Sequence, residues 1–351
     1  MPPLILPSTP DIPTELPAPR RDFALLADSL GGSLLYPANH DAKSLLSRLE
    51  KRTATDIRQA FAALKRRRTV SAFVSLSEKV GIPLALLLPK MRGSRPAHVL
   101  IGHRFTSSNK RKLHEQTGYL HRFDRIVVLA TAQSAYLTRE AGYPAHRVAF
   151  VYDAVDTTFW SGERINGDGG YLLAVGRERR DYATFADALR GMPDTRAVIV
   201  ASSPWSRAAG SPLPGEPPPN ITFRQDLSYM ALRDLYAGAS LVVVPLETGT
   251  DYAAGVNACL EGMAMAKPVL VTATPGLADY QQNGAGEESV ATVPVGESGE
   301  PLRGAIGSLL TDTVRRKQLA RCGRRFVEQR ANVESYAAAV ARIVREATEQ
   351  M

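Results

Sequence analysis

The side chains best suited to chemistry in this chain fall in three stretches. In Tyr171–Tyr182 (YLLAVGRERRDY) a buried apolar run reads as a strand that ends at Gly176, and three arginines follow before a helix. Guanidinium groups at the C-terminal end of a parallel strand can fork onto phosphate oxygens, and they stabilise charge gathering on a departing phosphate. Arg177 and Arg180 are the candidates, and the alternative is surface arginines paired with Glu178 and Asp181. The second stretch starts at Leu241 (LVVVPLETGTDYAAGVNACLEGMAMAKPVLVTATPG) and reads as strand, loop, helix, strand and turn. Its loop Thr248–Gly255 opens onto a helix over Val256–Met265, where backbone N–H groups and the helix dipole favour a phosphate. Glu261 lies on that helix among small and apolar residues. In the third stretch (His98–Lys110, HVLIGHRFTSSNK) His103 ends a buried strand, with Arg104 and Lys110 close behind. Read alone, a histidine at a strand end is a hydrogen-bonded structural residue.

These groups need elements to carry them. Leu241–Val244 is a continuous β-branched run closed by Pro245, as expected of a strand buried on both faces of a parallel sheet. Short strands are expected at Leu4–Leu6, Ser33–Tyr36, Val70–Val74, Val99–Gly102, Arg125–Leu129 and Arg147–Val151. Helices are expected at Arg21–Leu30 (capped at Gly31-Gly32), Lys43–Arg67, Glu78–Met91 (interrupted at Pro83), Lys110–Leu120 and Gln133–Ala141. The same rhythm restarts with strands at Tyr171–Val175, Ala197–Ala201, Ile221–Phe223, Val269–Val271 and Ser289–Val293, and helices at Tyr182–Arg190 and Ala231–Ala237. Strands alternating with helices predict α/β architecture: two doubly wound, Rossmann-like domains with ligand held in the cleft between them. The expected boundaries are 1–160, 161–330 and a C-terminal helical segment 331–351. Gly162–Gly170 reads as a linker, and Pro212–Pro219 as a Pro-rich, disordered loop.

Length and composition are those of a two-domain globular protein: 351 residues, 44% hydrophobic and 22% charged. Ile82–Leu88 is the longest apolar run, too short to span a bilayer, and the first residues lack the pattern of a signal peptide. Cys259 and Cys322 have no metal-ligand spacing, and Cys259 sits on an apolar helix as a buried thiol, which suits a reducing cytoplasm. Residues 1–150 hold 23 Lys+Arg against 11 Asp+Glu, so the net +8 divides into +12 and −4. A basic first half suits an anionic partner such as a membrane surface, an acidic carrier protein or a phosphorylated acceptor. Lys65–Arg68 reads equally well as a solvated helix face. Without interleaved aromatics it does not argue for nucleic acid. There is no Gly-x-Ser-x-Gly elbow, no Gly-x4-Gly-Lys-Ser/Thr loop and no His-x-x-x-His spacing.

Leu260–Val269 (LEGMAMAKPV) resembles the Leu-Glu-Ala-Met-Ala-x-Gly-x-Pro-Val signature of GT-B-fold glycosyltransferases, above all the retaining family 4 (glycosyl transferases group 1). Gly176-Arg177 with Arg180 is similar to that family's V-G-R…K-G segment. Val151–Phe159 (VYDAVDTTF) resembles the segment ending its N-terminal domain, with Asp153 and Ala154 in place of Asn-Gly. The resemblance implies a GT-B fold whose C-terminal helix crosses back to the N-terminal domain. It also implies a nucleotide-diphosphate sugar as donor, a UDP- or GDP-sugar, and transfer with retention of configuration. No metal or other cofactor is implied, since arginines and helix N-termini supply the electrostatics. Arg177 and Arg180 would grip the diphosphate, Glu261 the ribose, and the backbone of Gly255, Val256 and Asn257 the phosphates. Backbone near Gln225–Ser228 would meet the base, and His103 the sugar. Arg104 and Lys110 are candidate acceptor or phosphate contacts. The family's earlier glutamate, spaced Glu-x7-Glu, is Ala253 here, and Asp251 and Tyr252 are candidates for its role. A catalytically inactive, nucleotide-sugar-binding partner subunit is the alternative function, and a GT-B epimerase or hydrolase fits less well with few, scattered histidines. A cytoplasmic protein with possible peripheral contact to a membrane is the expected setting.

Overall fold

The computed structural model describes residues 1–9, 16–38, 45–88, 95–162, 169–201, 213, 216–283, 286–296 and 298–351. Residues 163–168 of the expected linker lie outside the described residues, as do 212, 214 and 215 of the expected Pro-rich loop. So do residues 10–15, and the ends 43–44 and 89–91 of two expected helices. The chain divides into two compact units: Met1–Thr14, Arg21–Tyr152 and Glu334–Met351 form the first, Glu15–Arg20 and Asp153–Val333 the second.

The first unit is built on six parallel strands: β1 (Leu4–Leu6), β2 (Ser33–Leu34), β3 (Ala72–Ser75), β4 (Ala97–Gly102), β5 (Arg125–Val128) and β6 (Val148–Phe150). Their order is β2-β1-β3-β4-β5-β6, with every pairing parallel. The strands β1, β3, β4 and β5 are buried throughout, which is why their sequences run apolar without alternation. Two apolar clusters pack on the sheet, one around Phe105, Tyr119 and Phe123, the other around Leu4, Phe73 and Leu84.

Two expectations here are corrected. Lys43–Arg67 does not form one helix. It breaks into Leu45–Thr53 and Ile57–Lys65 at Ala54, which takes a left-handed φ of 51°. Thr and Asp side chains compete with the helical backbone for hydrogen bonds, and Thr53, Thr55 and Asp56 crowd this point. Pro83, in turn, does not interrupt its helix, which runs continuously over Glu78–Leu87. The missing N–H leaves the Lys79 carbonyl unused within the helix, and the backbone N–H of Asp56 donates to it at 2.9 Å.

The second unit carries β7 (Tyr171–Val175), β8 (Arg196–Val200), β9 (Ile221–Arg224), β10 (Ala239–Val244), β11 (Val269–Thr272) and β12 (Ala291–Val293). Read from β9, the order is β9-β8-β7-β10-β11-β12, all parallel. This is the doubly wound 3-2-1-4-5-6 arrangement, and its direction of winding reverses between β7 and β10. One large apolar cluster, from Leu172 and Phe185 to Ile306 and Leu319, fills one face. Among the described residues no helix is long and apolar enough to cross a membrane.

Candidate functional site

In a doubly wound sheet, ligands bind outside the carboxyl ends of the strands where the winding reverses. In the second unit that point lies beyond Val175 and Val244. The two loops that leave it are stitched together. Asp181 N donates to Pro245 O at 3.0 Å, Glu247 N donates to Arg179 O at 3.0 Å, and Arg180 bridges to Leu246. Arg177 is half-exposed at the start of its loop, and the two arginines after it separate by direction. Arg179 takes a left-handed φ of 55° and turns to Glu247, forming a 2.6 Å ion pair. Arg180 is half-buried, and it is held by two carbonyls: its Nε donates to Val175 O at 3.0 Å and one Nη to Glu178 O at 2.8 Å.

The pairing of Arg180 with Glu178 and Asp181 side chains, open as an alternative, does not occur. The Glu178 carboxylate accepts the Tyr252 hydroxyl at 2.7 Å, and Asp181 caps the helix Tyr182–Arg190 by accepting Thr184 N at 2.9 Å. Burial pushes the Arg180 guanidinium below its usual range, and nearby tyrosines and Glu178 resist that shift. A cation so placed keeps its charge more readily when an anion arrives. Gly176 allows this packing: its φ is 101°, and a Cβ there would lie 2.5 Å from an Arg180 nitrogen. The Tyr182 hydroxyl donates to the Gly176 carbonyl and fixes the same turn.

Across from the arginines, Gly255 begins the helix Val256–Ala264 in a left-handed conformation, φ 86°, with no side chain capping the first-turn amides. A Cβ on Gly255 would meet an Arg180 nitrogen at 3.3 Å, so the helix start and the guanidinium are close neighbours. Asn257 is exposed in that first turn, whereas Val256 and Tyr252 are buried. Asp251 is half-exposed on the loop. Glu261 follows one turn deeper and is half-buried. Its Oε2 accepts the hydroxyl of Tyr236 at 2.8 Å. Burial raises the Glu261 carboxyl to about 7, and the Tyr236 hydrogen bond and the Arg180 charge oppose the rise. Burial likewise pushes the neighbouring Cys259 thiol up to about 12, leaving it neutral and inert. The Ser228 hydroxyl caps its own helix, accepting Ala231 N at 3.2 Å, and keeps its O–H free to donate.

In the first unit, His103 is exposed just beyond β4, and its Nε2 lies 3.0 Å from Leu76 O, which fixes the ring. The turn that carries it is organised by a residue that sequence reasoning missed. Glu78 Oε1 accepts His103 N at 3.1 Å, Arg104 N at 2.7 Å and the Lys110 ammonium at 3.1 Å. Buried Gln133 accepts the next amide, Phe105 N, at 2.9 Å. Burial alone would raise the Glu78 carboxyl. Lys110, His103 and the Arg104 amide outweigh it and hold the group below the usual carboxylate range. Lys110 is thus the counter-ion of a buried carboxylate.

Sequence spacing gave no signal for Tyr236 or Glu78. Each reaches its partner across 25 residues or more, and only the folded sheet brings them together.

Residues 170–312 match the family model "Glycosyl transferases group 1". No curated protein matches the chain in sequence. Among solved structures it is similar to a glycosyltransferase from Rickettsia africae (TM-score 0.67, 12% identity, 99% of each chain covered). It is also similar to sucrose-phosphate synthase from Thermosynechococcus elongatus (TM-score 0.69, 15% identity, 100% of each chain). A third is Anabaena HepE in complex with UDP and glucose (TM-score 0.67, 13% identity, 98% of this chain and 99% of that one). The chain has the GT-B fold of these structures, and the match to the glycosyl transferases group 1 model falls on the unit that carries Arg180 and Glu261.

Proposed function

We propose that the chain moves a sugar from a nucleoside-diphosphate sugar to an acceptor hydroxyl, with retention at the anomeric carbon. One observation carries this reading: at the winding reversal of the second sheet, Arg180, an uncapped helix N-terminus and Glu261 converge around the same two loops. Arg177 and Arg180 take the diphosphate, and the amides of Gly255, Val256 and Asn257 take its remaining oxygens. Glu261 accepts the ribose hydroxyls, while backbone near Ser228 meets the base. His103 faces the sugar. The bond from the anomeric carbon to the diphosphate breaks as a bond to the acceptor oxygen forms on the same face. The departing phosphate takes the acceptor's proton, and the arginines hold the charge it gathers. No divalent metal enters this scheme. The Anabaena relative was solved with UDP and glucose, which makes UDP-glucose the first donor to try here.

Ala253, standing where the family often has a glutamate, favours a second reading: a subunit that binds nucleotide sugar without transferring it.

A thermal-shift screen of nucleoside diphosphates and their sugars tests both. A ligand bound only by the folded state raises the melting temperature, and Arg180→Ala and Glu261→Ala should each erase the gain. Added chelator should leave it intact. If no nucleotide stabilises the wild type, the proposal falls. Stabilisation without donor consumption across a broad acceptor panel selects the non-transferring subunit.

A further inference from the structure

The helix Leu45–Thr53 in the first unit is inside out. Its buried residues are Ser47 and Glu50. Its leucines face outward, with Leu45 77% exposed, Leu46 46% and Leu49 44%. A helix on a globular protein ordinarily buries its apolar stripe. Here the inward face is already satisfied by polar contacts. Glu50 accepts Arg58 N at 2.7 Å and Arg58 Nε at 2.8 Å, and the carboxylate is almost fully buried. The next helix, Ile57–Lys65, exposes Phe61 at 45%. Among the described residues these are four of the eight large apolar side chains that stand exposed, so they form a concentration and not a background scatter.

The rim of this apolar face is basic. Arg48 and Arg52 follow Leu45 and Leu49 at helical spacing, and Lys51, Lys65, Arg66 and Arg68 are exposed close by in sequence. Residues 45–68 hold eight Lys and Arg against two acids, Glu50 and Asp56, and Glu50 is the buried one. We propose that this face docks onto an anionic lipid surface, with the leucines entering the acyl boundary and the basic side chains reaching to the headgroups. A second copy of the chain is a poor occupant, because it would set one basic rim against another. The face lies on helices of the first unit and owes nothing to the donor site.

Flotation with vesicles tests this. The wild type should float with vesicles of phosphatidylcholine mixed with phosphatidylglycerol and remain behind with phosphatidylcholine alone. Leu45→Ser with Leu49→Ser should lower binding about tenfold or more. Arg48→Gln with Arg52→Gln should lower it too and flatten its dependence on salt. Leu49→Trp keeps the face apolar, so its emission, taken as a difference from wild type, should shift to the blue on adding the anionic vesicles. Nucleotide-dependent stabilisation of the leucine variant should equal that of wild type, so a failed donor site and a failed lipid face are told apart. Absent or leucine-independent binding to the anionic vesicles overturns the proposal, as does equal binding to both vesicle types. So does a wild-type dimer that the leucine substitutions abolish, or a Leu49→Trp variant whose emission stays unshifted.

Discussion

The hydroxyl of Tyr236 donates a 2.8 Å hydrogen bond to Oε2 of Glu261, and Tyr236 is itself fully buried against Trp160. A carboxyl raised to about 7 by burial is neutral below that pH and charged above it. If the carboxylate is the form that grips a ribose, nucleotide affinity climbs with pH up to about 7 and levels off beyond it. The Tyr236 bond favours the charged form, so Tyr236→Phe moves the bend to higher pH and Glu261→Gln removes it. Titration calorimetry of a nucleoside diphosphate across pH checks this. A bend that persists in Glu261→Gln belongs to the ligand's phosphate instead. The loss of one buried hydrogen bond should also cost about 1–3 kcal/mol of stability.

Arg180 owes its position to two carbonyls, those of Val175 and Glu178. A lysine cannot reproduce both contacts and still present a fork to an anion. Arg180→Lys should therefore lose nucleotide affinity nearly as severely as Arg180→Ala, by about tenfold or more, which is the scale of one charge-assisted contact. Arg179→Ala should lose little, because Arg179 is spent on Glu247. Equal losses at 179 and 180 would mean that the loop matters only as a basic patch.

Gly176 tests the same geometry from the backbone. A Cβ at this position would lie 2.5 Å from an Arg180 nitrogen, and its φ of 101° is strained for any other residue. Gly176→Ala should destabilise the second unit by about 1–3 kcal/mol and weaken nucleotide binding as the guanidinium is displaced. Chemical denaturation together with a binding isotherm separates the two effects. A variant with wild-type affinity would show that the placement of Arg180 does not depend on this glycine.

Much of the scaffold was legible from local pattern. The run of residues 241–244 reads as a strand buried on both faces, and the helix Tyr182–Arg190 falls at the expected bounds. The parallel sheets followed from alternation. What local pattern could not supply was direction. Nothing in Arg-Glu-Arg-Arg says that Arg179 turns to Glu247 while Arg180 turns inward, because that depends on a left-handed φ imposed by pairing with the loop after β10. The spacing of Leu45, Leu46 and Leu49 likewise reads the same whether the face is covered or bare. Only the burial of Ser47 and Glu50 reveals which way the helix is turned.

His98 gives the first unit its own acid sensitivity. The ring is fully buried in β4, with Nε2 2.9 Å from the Ser75 hydroxyl and the Phe123 ring tilted against it at 4.7 Å between centroids. Burial pushes it down to about 3, Asp124 resists that shift, and Arg95 adds to it. The unfolded chain binds a proton near the ordinary value of 6.5, which the folded chain refuses until about 3. Stability from this group is therefore complete above 6.5 and drains away as pH falls towards 3, by up to about 1.4 kcal/mol per pH unit. Glu261 has the opposite sign but sits in the second unit, so a global melt would blend the two. Hydrogen exchange at the β3 and β4 amides, corrected for the intrinsic rate, isolates the first unit. Protection should fall between pH 6.5 and 4.5, before ordinary carboxylates titrate, and His98→Gln should be less protected throughout but flat across that window. A wild type that is flat there would mean the ring already carries its proton in the folded state.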